Sequence, residues 1–148
     1  MNKKPSFKEE KNYWEEGILN VIGLDEVSRG AFAGPIVAAG VIFKQNFKAD
    51  FLKNINDSKL LKPKIREELS KIIKEQSMFW TIKSVELPFI NKYGIGKSNN
   101  EVFCKVLNAI TRKVNSENYF ILVDGFYIKH PTKFKNQKTI IKGDQISL

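Results

Sequence analysis

Apolar residues in this chain gather in short runs and one long stripe. Residues 17–24 and 36–43 are apolar runs, the second rich in valine, isoleucine and alanine, and both predict strands. Gly30, Gly34 and Pro35 punctuate the connection, which predicts a turn and close pairing of the two strands. Over residues 62–76 the period becomes helical. Pro63 suits a first turn, and Ile65, Leu69, Ile72 and Ile73 share one face. Residues 79–87 alternate again, with Phe79, Thr81, Lys83 and Val85 on one side of a strand and Trp80, Ile82 and Ser84 on the other.

Ser98 and Glu101 have the spacing of a capping box, and Val102, Phe103, Val106, Leu107, Ile110 and Val114 follow at helical intervals. Residues 119–123 form a continuous apolar run without a polar face, as in a strand covered on both sides, and run directly into Asp124-Gly125. A shorter strand is predicted at residues 139–141, before Lys142-Gly-Asp144. Strands and helices mixed in this way describe an α/β chain, with no internal repeat, low-complexity segment or linker.

Three of the predicted strands end in acid. One aspartate at a strand end is usually a turn former or helix cap. Three such sites are different, because strand ends in α/β sheets are where ligand crevices form, so Asp25, Glu26, Asp124 and Asp144 are candidates to converge there. Convergent carboxylates repel one another unless a cation sits between them. All-oxygen ligation suits Mg²⁺ or Mn²⁺ rather than zinc.

Charge sharpens that picture. The chain has 148 residues, 42% hydrophobic and 28% charged, which predicts one domain with one core. Its net charge of +9 makes nucleic acid the leading partner class. Five lysines and no acid lie in residues 126–143, and seven basic residues against two acids lie in residues 44–66. Each stretch alone reads as a solvated surface. Together they suit a phosphate backbone, and with a carboxylate cluster they point to phosphodiester chemistry in which two metals serve the attacking and leaving oxygens.

The remaining features narrow the setting. No apolar run is long enough to span a bilayer, and the polar start lacks the apolar core of a signal peptide, so a cytoplasmic protein with no membrane contact is expected. Cys104 is the only cysteine and sits in the helical stripe as a packed thiol; His130, before Pro131, reads as a loop residue.

The stretch GLDEVSRGAFAGPIVAA, residues 23–39, closely resembles the signature of type 2 ribonuclease H, ribonuclease HII. Tyr13-Trp14-Glu-Glu-Gly17 resembles that family's lead-in to its first strand, and Asn56-Asp-Ser-Lys59 its Asp-Ser-Lys segment. Ile95-Gly-Lys97 resembles its helix entry, while Leu122-Val-Asp-Gly125 and Lys142-Gly-Asp144 resemble its third and fourth acidic motifs. Ala33-Gly34-Pro35 favours type 2 over the related type 3 enzymes. The resemblance runs over about residues 12–148.

The resemblance implies an RNase H-like fold, a mixed sheet with flanking helices, forming a single catalytic domain. Asp25, Glu26, Asp124 and Asp144 map onto four acids that bind two metals and hydrolyse the RNA strand of RNA/DNA hybrids or ribonucleotides embedded in duplex DNA. Asp25 and Glu26 are neighbours, so they share a site only where the strand ends or twists. Ser28, Arg29 and Gly30 correspond to a Gly-Arg-Gly segment that reads the ribose 2′-hydroxyl. Serine in place of the first glycine adds a Cβ where close approach matters. Arg29 is suited to a forked phosphate contact and Lys59 to a weaker one.

Family members continue through further helices, one carrying a tyrosine at the RNA-to-DNA junction, so the chain reads as a C-terminally incomplete or a naturally shortened enzyme, and a monomer is expected. Two other readings compete: a weakened nucleic-acid-binding remnant, and a different two-metal phosphotransferase indifferent to ribose.

Overall fold

A computed structural model describes residues 6–27, 34–45, 61–130 and 132–140. In chain order these form α1 (Lys8–Glu15), β1 (Asn20–Val27), β2 (Ile36–Ile42), α2 (Pro63–Gln76), β3 (Phe79–Val85), α3 (Leu87–Tyr93), α4 (Ile95–Val114), β4 (Tyr119–Asp124) and β5 (Gln137–Ile140). The five strands make one mixed sheet in the order β3-β2-β1-β4-β5. β2 runs antiparallel to both β1 and β3, whereas β4 is parallel to β1 and β5 to β4.

Helix α4 carries the main core. Val102, Phe103, Val106, Leu107 and Ile110 are fully buried, and they pack with Ile22, Leu24, Ile36, Ala38, Ile42, Val85, Ile121 and Val123 from one face of the sheet. Gly40 lies beneath this helix. A Cβ there would come within 2.6 Å of Ile110 and Val106 and 2.9 Å of Leu24, so only glycine lets α4 approach β2 this closely. Arg112 and Lys113 fill the last turn of α4, which closes on Asn115 in the left-handed region at φ 48°.

The opposite face has a smaller cover, with Val21, Leu122 and Ile140 packing with Tyr13, Trp14, Ile18 and Phe120. Here α1 anchors itself through aromatics: Tyr13 stacks on Phe120 at 4.0 Å between ring centroids, and Phe7 meets Trp14 and Phe43 at 5.7 and 5.3 Å. An ion pair of 2.7 Å joins Glu9 of α1 to Lys138 of β5.

The expected helix over residues 62–76 is present with Pro63 in its first turn, although Leu69 is its one buried residue. The structure departs from the sequence reading at four places, one of them a helix, α1, for which there is no expectation. β1 begins at Asn20 rather than residue 17 and extends to Val27. β3 ends at Val85, because Pro88 sits in the first turn of the unforeseen helix α3. α1 was hidden by a segment too polar to show an apolar stripe.

The fourth correction concerns the capping box. α4 starts one turn before Ser98, with Gly94 (φ 80°) as the joint between α3 and α4. Ser98 is therefore inside the helix and fully buried, and its hydroxyl donates to the Gly94 carbonyl at 2.8 Å. Among the described residues, no helix is long and apolar enough to cross a membrane.

Candidate active site

The register of the two central parallel strands is secured at the end where they enter the sheet. Leu19 N–H donates to Asn118 Oδ1 at 3.0 Å, Asn118 Nδ2 donates to the Gly17 carbonyl at 3.1 Å, and Asn20 Nδ2 donates to the Asn118 carbonyl at 3.0 Å. From there the ladder advances without a slip, from Asn20 opposite Tyr119 to Leu24 opposite Val123. The next residues on the two strands are Asp25 and Asp124.

Face parity decides which acids share a row. Val21 and Leu122 face the α1 side, whereas Ile22, Leu24, Ile121 and Val123 face α4. Asp25 and Asp124 alternate with the latter set and so fall together on the α1 side. Glu26 continues the row of Ile22 and Leu24, opposite Ala38 of β2. The strand does not end at the acid pair, because β1 keeps pairing with β2 to Val27 opposite Val37 after its ladder with β4 has stopped. Asp25 Oδ1 accepts the backbone N–H of Glu26 at 2.7 Å.

β5 reaches the same end of the sheet. Ile140 is opposite Asp124, and Gly125 N–H donates to the Ile140 carbonyl at 2.8 Å. Asp144 follows β5 in the chain but lies outside the described residues, as do Ser28, Arg29, Gly30 and Lys59. Asp25 is exposed, while Glu26 and Asp124 are half-buried. The strand ends thus carry oxygen donors, which suit a hard divalent cation. Among the described residues no three His, Cys, Asp or Glu side chains gather as a metal site.

The sulfur and nitrogen donors are engaged elsewhere. Cys104 is buried in α4, and burial, reinforced by Glu101, pushes its thiol up from the ordinary value, so it stays protonated and unreactive at neutral pH. His130 is in a loop, as its sequence context suggests. Its Nδ1 accepts the backbone N–H groups of Lys133 and Thr132 at 3.0 and 3.3 Å.

That loop joins β4 to β5, and two side chains unnoticed in the sequence hold it. Asn100 of α4 pairs with the backbone of Lys129, accepting its N–H at 2.7 Å and donating to its carbonyl at 2.9 Å. Gln137 does the same for Ile128, both at 2.8 Å, and donates to the Phe134 carbonyl at 2.7 Å. Neither residue carries a sequence signal, since polar amides at helix and strand starts are ordinary surface choices.

A five-stranded mixed sheet crossed by a long helix, with acids where the ladder between its two central parallel strands stops, defines a ribonuclease H-like fold. The structure of Bst-RNase HIII in complex with Mn²⁺ superposes with a TM-score of 0.65 at 21% identity, covering 90% of this chain and 49% of that one. The RNase HII in the PCNA:RNase HII complex from Archaeoglobus fulgidus gives 0.62 at 23% identity, covering 86% and 65%. The ribonuclease HII family model matches residues 22–148, and the chain belongs to that family. It is 43% identical over 125 residues to ribonuclease HII of Clostridium perfringens (strain 13 / Type A), covering 84% of this chain and 43% of that protein. The chain spans about half the length of the curated relatives it matches.

Proposed function

We propose that this chain is the acid-bearing catalytic domain of a metal-dependent endoribonuclease that hydrolyses the RNA strand of RNA/DNA hybrids and ribonucleotides embedded in duplex DNA. The observation that carries this reading is that Asp25 and Asp124 directly follow the last pair of the parallel β1–β4 ladder and share one face, in a chain of the ribonuclease HII family. The solved relative with Mn²⁺ and the purely oxygen donor set support a divalent cation, Mg²⁺ or Mn²⁺.

In this reading Asp25 and Asp124 would hold the cations, and Glu26, from the neighbouring α4-side row, and Asp144 would complete the set. When bound, the cations supply positive charge to the attacking and leaving oxygens of the phosphodiester. Water adds to phosphorus as the bond to the upstream 3′ oxygen breaks, which leaves a 5′-phosphate on the ribonucleotide. Ser28, Arg29 and Gly30 recognise the ribose, and Arg29 and Lys59 hold phosphate. The net charge of +9 assists encounter with a polyanion. We assign the protein to the cytoplasm as a monomer, where its single buried thiol stays reduced.

A DNA duplex with one embedded ribonucleotide, compared with an all-DNA duplex, tests the reading. Cutting on the 5′ side of the ribonucleotide alone, stopped by EDTA and restored by Mg²⁺ or Mn²⁺, is the expected result. Equal cutting of the all-DNA duplex would favour the ribose-indifferent phosphotransferase, and binding without cutting would favour the remnant.

A further inference from the structure

We infer that the cleft on the β4–β5 loop binds backbone phosphates of the nucleic-acid duplex beyond the cut site, an inference that rests on the function proposed above. The cleft has a volume of about 430 Å³ and is lined by Tyr127, Lys129, His130, Lys133, Lys135 and Gln137, among others. Tyr127 is three residues from Asp124, so the cleft begins within about 10 Å of chain from the acid pair. The loop starts from the end of the sheet that carries the acid pair and packs on the α4 side, where Asn100 holds Lys129 and Ile128 and Phe134 join the core, so the cleft would meet the duplex beside the α1-side acids rather than on their face.

Two observations set this loop apart from an ordinary solvated lysine run. The first is charge: residues 126–143 hold five lysines and no acid, and Lys129, Lys133 and Lys135 form no ion pair among the described residues. The second is order. Asn100, Gln137 and His130 together make seven hydrogen bonds to the loop backbone, while Ile128 and Phe134 are buried against the α4 core. Lysines left only for solubility need no such scaffold. One that holds three ammonium groups around a concavity reduces the ordering cost of binding an anion.

Ammonium groups bind phosphate as point charges and do not read the sugar. A duplex seated on the acid pair is a polyanion longer than the catalytic site, and its backbone is the anion we assign to this cleft. His130 adds one directed donor: with Nδ1 accepting two backbone N–H groups, the neutral ring carries its proton on Nε2.

The test uses the whole 148-residue chain. Duplex affinity is measured across a salt series for the parent, for the triple variant Lys129→Gln, Lys133→Gln, Lys135→Gln, and for a charge-matched triple variant Lys11→Gln, Arg112→Gln, Lys113→Gln. Both the all-DNA duplex and the duplex with one ribonucleotide are used. Each phosphate contact contributes about 0.9 to the slope of log affinity against log salt, so the loop variant should flatten the slope by about two to three on both duplexes. The charge-matched variant should leave the slope near the parent's. A loop variant with Lys129→Arg, Lys133→Arg and Lys135→Arg should keep parental binding, which separates charge from loop architecture. Equal slopes for parent and loop variant would overturn the inference while leaving the nuclease reading intact, as would a loss confined to the ribonucleotide duplex. Failure of the parent to bind either duplex would overturn both.

Discussion

The two faces of the sheet are built to different standards. Under α4, twelve of the most deeply buried side chains, including Phe103, Leu107 and Ile121, close a continuous core in which even one methyl at Gly40 has no room. Under α1, three buried residues and four partly buried ones make a smaller layer, and an exposed ion pair helps to hold the helix. Asp25 and Asp124 belong to this second side. The contrast suits Asp25 and Asp124, because ionised carboxylates packed beneath α4 would be stripped of water, and Glu26, in the α4-side row, stays only half-buried. One face sets the positions of the strands, and the other carries Asp25 and Asp124, while Glu26 falls in the row that faces α4.

Emptying the dense face should cost most. Phe103→Ala removes a fully buried ring and should destabilise the chain by about 3–5 kcal/mol in a denaturant titration. Overfilling the same face is the next test, with Gly40→Ala expected to cost about 1–3 kcal/mol as Ile110, Val106 and Leu24 are displaced. If Gly40→Ala is neutral, α4 is less closely seated than the structure shows.

Smaller effects probe the joint and the thin side. Asn118→Ala removes two hydrogen bonds that align β1 with β4 and should cost about 1–2 kcal/mol. Cleavage should fall further than the lost stability accounts for if strand register places Asp25 beside Asp124. The smallest effect is at Lys138, whose ammonium is held above the ordinary lysine value chiefly by its hydrogen bond with Glu9, against the opposing effect of burial. A raised pKa means that this pair's stabilisation is present below the ordinary lysine value and lost as pH rises through the folded one. Exposure of the pair limits its worth to less than about 1 kcal/mol. Lys138→Met should therefore differ from the parent near neutral pH and converge with it in strong alkali, as read by denaturation at each pH.

What is legible in the sequence follows the same division. The α4 stripe and the unbroken run of β4 announce themselves because a dense core demands apolar residues at fixed periods. Asp124 is visible as a strand-end acid for the same reason. α1 escapes because two aromatics and Phe7 suffice to dock it, and α3 because seven residues are too few to separate helical from strand periodicity. The false capping box arises because Ser98 has the right spacing but sits a turn inside the helix, where its hydroxyl serves Gly94. The loop clamps are invisible for a topological reason: Asn100 reaches Lys129 across 29 residues of chain, and no local pattern reports such a pairing. The sharing of one face by Asp25 and Asp124, with Glu26 on the other row, depends on the parallel register of β1 and β4, which likewise has no local signature.

The most direct test of the central claim is the cleavage rate of Asp124→Asn on a duplex with one embedded ribonucleotide, with duplex affinity measured on the same preparation. Asparagine keeps the shape of Asp124 at the end of β4 but removes the negative charge that would hold a cation beside Asp25. The account predicts that Mg²⁺- or Mn²⁺-supported cleavage seen with the parent chain is lost, while affinity for the duplex is kept or rises because one charge repelling phosphate has gone. Cleavage by Asp124→Asn at the parent rate would contradict it.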